Sequence, residues 1–283
     1  MSLTDRVCLV TGASRGIGKS IAAAFVAHGA RVIVCSRSEP EVAGVVAELS
    51  RHGRIRGMCL DVSKAEDVAG VFRTVRGDYG GIDILVNAAA VQGPIGTLAE
   101  LEVDAWVKCV NIDLMGTVFC CRAALPIMRE ADKGKIINFS GGGATSSRAN
   151  FSAYACAKTA VVRFTETLAA EVACDHIDVN AVAPGMVRTR MLDEIVSAGP
   201  ERAGTREIEQ IARLSAEGAG SPKRAVGVVL YLVSPESDGV TGRLISAVWD
   251  PWDKPGFRET VLHDRSLYTL RRIDGRNFAG VAS

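Results

Sequence analysis

Apolar residues gather along this chain in short runs, set apart by stretches of helix length. The runs at 7–10, 31–35, 56–60, 82–87, 136–140, 177–182 and 243–248 are continuous and rich in β-branched residues. Such runs predict strands buried on both faces, as in a parallel sheet. Between them the pattern predicts helices at 18–28, 39–51, 65–79, 103–130 (in two pieces), 154–174 and 223–233. This alternation predicts an α/β fold: a Rossmann-type, doubly wound parallel sheet flanked by helices, in a single domain. Two stretches fall outside it. Residues 191–221 are polar and contain glycine, which suits a lid. The stretch from 249 to the end carries Trp249, Trp252, Phe257, Tyr268 and Phe278. Those aromatics argue against simple disorder and for packing on this subunit or a neighbour. The expected division is 1–250 for the main unit, lid included, and 251–283 for a C-terminal extension.

Composition narrows the class. Hydrophobic residues make up 48% of the 283 residues but aromatics only 5%, so the core is built from Ala, Val, Ile and Leu. The net charge is +1, which leaves no basic surplus to drive nucleic-acid binding. The eight cysteines form no CxxC, and the four histidines sit near no ligand cluster. Buried, reduced thiols and no metal site are expected. The N-terminus lacks the features of a signal peptide, and no run reads as long enough to cross a bilayer. A cytoplasmic protein without membrane or nucleic-acid partners is the expectation.

Two motifs carry chemistry. After the first strand comes Thr11-Gly12-Ala13-Ser14-Arg15-Gly16-Ile17-Gly18, then a helix. Glycines there let the backbone approach a pyrophosphate, and the helix N-terminus offers free N–H groups and a positive dipole end. The second is Tyr154 with Lys158, one helical turn apart and so on one face. A phenol with a pKa near ~10 is a poor base. An ammonium ~4 Å away, at an effective dielectric of ~20, is worth roughly 4 kcal/mol, or about three pKa units. That predicts a tyrosine able to exchange a proton with an alcohol or carbonyl oxygen.

These motifs fall in an ordered set. The glycine loop is spaced TGxxxGxG. Asp61-Val62 follows the third strand and Asn87-Ala88-Ala89-Ala90 the fourth, and Asn111 lies on the long helix. Tyr154 and Lys158 form YxxxK, and Asn180, Pro184-Gly185 and Thr189 form NxxxPGxxxT. Over roughly residues 4–248 the chain thereby resembles the classical short-chain dehydrogenases/reductases. The resemblance implies hydride transfer between a nicotinamide and a small-molecule carbonyl or secondary alcohol, in a homodimer or homotetramer. It implies Tyr154 as general acid/base, Lys158 beside it, and Asn111 holding a relay water. It implies cofactor contacts from Gly12, Ser14, Arg15, Gly16, Ile17, Gly18, Ser36, Arg37, Asp61, Val62, Asn87, Ala88, Ala89, Tyr154, Lys158, Pro184, Gly185, Val187 and Thr189.

Three departures from the family pattern matter. The family's serine, which holds the substrate oxygen, falls by the common spacing on Gly141. Ser140 is taken as the candidate, with Thr145, Ser146, Ser147 or a backbone N–H of the glycine run as alternatives. NAD-preferring members carry an Asp after the second strand, where this chain has Ser36-Arg37. With Arg15 nearby, this implies NADP(H), with NAD(H) second. The usual C-terminal close lacks its glycine pair. Arg148, Arg188 and Arg190 are expected to border the substrate cleft. The rival reading is a non-catalytic dinucleotide sensor or scaffold. A dehydratase or epimerase is a weaker one, since those relatives carry GxxGxxG.

Overall fold

The apolar runs become the strands of one sheet: β1 (Val7–Thr11), β2 (Arg31–Ser36), β3 (Ile55–Cys59), β4 (Ile84–Asn87), β5 (Gly134–Phe139), β6 (Ile177–Ala183) and β7 (Leu244–Ser246). The computed structural model describes residues 2–218 and 220–272. All neighbouring strands pair in parallel, in the order β3-β2-β1-β4-β5-β6-β7. The winding therefore reverses between β1 and β4, where a crevice opens beyond the strands' C-terminal ends.

Successive strand residues feed two separate cores, because side chains alternate across a sheet. Cys8 and Val10 join one face, with Val34, Val86 and Ile137. Val7 and Leu9 join the other, with Ile33, Leu85 and Ile136. Helices α1 (Gly16–Ala27) and α2 (Glu39–Leu49) cover the first face, with α9 (Lys223–Leu232). The second is covered by α3 (Ala65–Tyr79), α5 (Gly116–Glu130) and α6 (Ser152–Glu171). Small residues let these layers close up. A Cβ on Gly57 would meet Val46 at 3.0 Å, and one on Gly134 would meet the Met128 side chain at 2.9 Å.

Four expectations need correction. The long helix is α4 (Val103–Val110) joined to α5 through a π turn at Asn111–Met115, so its two pieces are continuous. That helix, Val103–Glu130, is long and apolar enough to cross a membrane by length and composition; here it lies along the sheet, packed on α3 and α6. Residues 191–221, for which no helix was expected, hold α7 (Arg190–Ala203) and α8 (Thr205–Ala216), whose Ile195 and Ile211 pack on Phe151. Several of their polar residues, Arg206, Glu207 and Gln210 among them, line the cleft. Of the eight cysteines, all free, Cys59, Cys156 and Cys174 are exposed and the rest buried.

The C-terminal stretch folds onto its own subunit as far as residue 272. Trp252 donates from its indole Nε1 to the Ala247 carbonyl at 3.1 Å. Phe257, on α10 (Phe257–His263), meets Tyr231 at 5.9 Å and Tyr268 at 5.3 Å between ring centroids. The tail then runs beside β7, where Leu244 N–H donates to the Tyr268 carbonyl at 2.7 Å. Trp249 stays 82% exposed at the cleft edge, and Phe278 lies outside the described residues.

Candidate active site

A cleft of about 1910 Å³ opens at the C-terminal ends of the strands. Every residue expected to contact the cofactor lines it except Asn87. Asn87 is buried at the end of β4 and donates to Asn138 Oδ1 at 2.9 Å, stitching β4 to β5. Its neighbours are set by Thr11, whose hydroxyl accepts the Ala88 and Ala89 N–H groups, both at 3.2 Å. Gly12 makes this possible. Its φ is +64°, and a Cβ there would lie 2.6 Å from the Ala89 Cα. The turn delivers the chain into α1, whose first N–H groups carry no side-chain cap and face the cleft.

Charges at the outer end form a small network. Ser36 donates to Ser14 at 3.1 Å, and Ser14 to Glu41 at 2.8 Å. Arg15 pairs with the same carboxylate at 3.0 Å. Glu41 was not singled out from the sequence. It sits in the first turn of α2, five residues beyond Ser36, and only the fold brings it back to the glycine loop. Arg37 lines the cleft with no ion pair among the described residues. Burial pushes the Asp61 carboxyl up, but two hydrogen bonds from Ser63, with the charge of Arg37, hold it below the usual range.

At the inner end, Tyr154 and Lys158 rise from α6 into the cleft, both buried. Lys158 Nζ donates to the Phe139 carbonyl at 3.2 Å and lies 3.2 Å from Asp113 Oδ2. Asp113 is 0% exposed, and its other oxygen accepts the Val91 N–H at 2.9 Å. Asn111, by contrast, is exposed and does not line the cleft. Residues two apart on a helix point to nearly opposite sides. Cys109, Asp113 and Cys120 share the buried stripe, while Asn111 faces away. A carboxylate thus stands where an amide was expected. A buried acid in phase with that apolar stripe was the available signal.

The pair changes the electrostatics. Burial works against the Lys158 charge, but the Asp113 carboxylate, with Tyr154, outweighs it and holds the ammonium above its ordinary range; burial in turn pushes the Asp113 carboxyl up against the pull of Lys158. Burial also pushes the Tyr154 phenol up. Lys158 pulls it back, Asp113 pushes it further, and the net direction is upward. The expected net depression is therefore not reached: burial, with Asp113 added, outweighs the pull of Lys158. Tyr154 stays a phenol, able to donate.

The serine candidates, Ser140 included, all line the cleft. Ser140 is buried and its hydroxyl turns back to the Lys158 carbonyl at 3.5 Å. Gly141 sits directly against the Tyr154 hydroxyl, so that a Cβ there would overlap it and lie 2.9 Å from Cζ. Thr145, Ser146 and Ser147 line the cleft on the loop beyond β5. On that loop Arg148 stacks 3.9 Å over the Phe151 ring and forks onto Glu207 of α8 at 2.5 and 3.4 Å. Arg188 and Arg190 also line the cleft, and Arg190 pairs with Glu194 at 3.6 Å.

The family model for short chain dehydrogenases matches residues 6–199. The chain belongs to the short-chain dehydrogenase/reductase family. Among its relatives, the short-chain reductase protein NovJ of Streptomyces niveus is 37% identical over 85% of this chain and 92% of its own length. The 3-oxoacyl-[acyl-carrier-protein] reductase FabG of Vibrio harveyi is 34% identical over 87% and 96%. Among solved structures, an actinorhodin polyketide ketoreductase variant with NADPH superposes with a TM-score of 0.79 at 30% identity, covering 86% of this chain and 95% of that one. An NAD+-bound xylitol dehydrogenase superposes with a TM-score of 0.81 at 25% identity, covering 87% and 98%. This is an oxidoreductase family whose members bind NAD(P), and the site fits such a group. The glycine loop and uncapped start of α1 suit a pyrophosphate, and Leu60 and Val62 offer an apolar wall.

Proposed function

We propose that this short-chain dehydrogenase/reductase is an NADP(H)-preferring carbonyl reductase. Its acid is Tyr154, its supporting charge is Lys158, and Asp113 is the residue that holds Lys158. The observation that carries this reading is the buried Tyr154–Lys158–Asp113 array, in one cleft with the glycine loop. The bound nicotinamide would supply the hydride. The protein's part is to donate a proton from the Tyr154 hydroxyl to the carbonyl oxygen as negative charge develops there. A phenol held above its ordinary pKa suits an acid better than a base, which favours reduction over alcohol oxidation. Lys158, kept cationic, stabilises the phenolate left behind. Helices α7 and α8 act as the lid, tied to the loop after β5 through Arg148 and Glu207.

Ser140 is left outside the chemistry in this reading, and Ser140→Ala should keep turnover within about threefold of wild type. A fall beyond tenfold in kcat would restore it. For the cofactor, Arg37 is the proposed reader of a 2′-phosphate, since Arg15 is already paired to Glu41. Arg37→Asp should raise the KM for NADPH by about tenfold or more and leave that for NADH nearly unchanged. Equal KM changes for the two cofactors would count against this assignment. The test of the whole reading is NADPH oxidation, followed optically, against a panel of ketones, keto-acyl thioesters and ketoses. Glycine at 141 favours one second reading, a dinucleotide sensor. NADPH binding without turnover across that panel would establish it.

A further inference from the structure

Gln92 is the feature the reading above leaves unused. It follows β4, is 2% exposed, and lines the same cleft as Tyr154 and Gly141. Its side-chain Nε2 is buried with no hydrogen-bond partner. A buried amide N–H group without an acceptor is costly, and native structures rarely keep one without a reason. The backbone on both sides of Gln92 is held in place. Val91 is pinned by its N–H to Asp113, and its side chain packs against Tyr154, Cys109 and Ala153. On the other side Gly93 has a φ of +69° and presses on Cys109 so closely that a Cβ would lie 2.7 Å from its sulfur. The amide thus sits on the cleft wall next to Val91, which packs against Tyr154.

We infer that Gln92 is a substrate-contacting specificity residue, which pairs with a hydroxyl group of the substrate and so selects hydroxylated ketones over plain ones. This rests on the carbonyl-reductase reading. A neutral amide carries both a donor and an acceptor, and a hydroxyl matches both. The site favours a neutral partner, because Arg148, which lies 5.8 Å over the Tyr154 ring, is already forked onto Glu207. Hydroxyls on Thr145, Ser146 and Ser147 extend the polar lining. A site built to hydrogen-bond a hydroxyl discriminates strongly against the analogue lacking it, since its own polar group is then left unpaired.

The experiment compares kcat/KM, with NADPH, for ketones matched in carbon chain: D-xylulose against 2-pentanone, and 1-hydroxy-2-butanone against 2-butanone. Wild type should prefer the hydroxylated member of each pair. Gln92→Met keeps the length and apolar bulk but removes the amide. It should shrink that preference by about tenfold, chiefly through KM, with the plain ketones unchanged or improved. Retained melting temperature and NADPH fluorescence certify the fold. If Gln92→Met does not fold, Gln92→Asn, which withdraws the amide by one methylene, carries the same comparison. Turnover with the same preference in wild type and variant overturns the assignment of Gln92 and leaves the reductase reading intact. Absence of turnover with every ketone in the wild type overturns both.

Discussion

Tyr154→Phe is expected to lower kcat for carbonyl reduction by roughly 10²–10⁴, the usual worth of a positioned general acid. Family members would soften such a loss with a serine hydroxyl at the reacting oxygen. Here the residue at that spacing is Gly141, and the hydroxyl of the preceding Ser140 donates to the Lys158 carbonyl at 3.5 Å. Tyr154 is therefore the hydroxyl set directly against Gly141. The substitution removes a single oxygen from a buried ring, so packing in the cluster of Cys109, Ala153 and Val91 should survive. Single-turnover kinetics with NADPH, beside a binding titration of the same cofactor, separate the two effects. A fall in kcat below about threefold would remove Tyr154 from the acid role.

Asp113→Asn should move the alkaline limb of the kcat/KM profile for reduction to lower pH. The amide can still accept the Val91 N–H, so geometry is kept and only charge is lost. Asp113 raises both the Lys158 ammonium and the Tyr154 phenol. Reduction needs both protonated, and removing the anion lowers both. The other titratable group facing the pair, Cys109 on α4, has its thiol pushed up to about 12, chiefly by burial, and stays neutral through the working range. Arg148 also faces Tyr154, from the loop, 5.8 Å over its ring. Stability follows the same sign. A lysine raised in the fold contributes stability that is full below its unfolded pKa and is lost as pH climbs through the folded one. Wild type should lose stability there, and Asp113→Asn should not show that loss. Asp113→Leu goes further, leaving the Lys158 charge buried and unpaired, at about 3–5 kcal/mol. Melts across pH 7–11 check both statements; an unshifted limb in Asp113→Asn would end the argument.

Much of this architecture was legible from the chain. Runs such as Cys-Leu-Val and Val-Ile-Val can only be buried from both sides, and their spacing leaves room for one helix each. The glycine loop, Tyr154 and Lys158 could be found because their chemistry depends on local spacing. What escaped depended on phase and on distant contacts. Asn111 and Asp113 differ by two residues, and choosing between them needs the helix's rotation, which the π turn sets. Glu41 reaches Arg15 only because β2 runs beside β1. β7 is shorter than its apolar run, since only Leu244–Ser246 find partners on β6. Gln92 reads as an ordinary loop residue until its burial is seen.

The path of the tail has a consequence for the edges of the sheet. An unprotected outer strand is a template on which a foreign strand can dock, and it is where open sheets begin to aggregate. At β7 the chain fills that template itself: the Tyr268 carbonyl takes the Leu244 N–H, and Leu270 N–H is held by Glu166 at 2.6 Å. The opposite margin, β3, has no such guard among the described residues and shows solvent at Arg56 and Cys59. Truncation before Phe257 would therefore do more than shorten the protein. It would give a one-margined sheet a second margin open to strand addition.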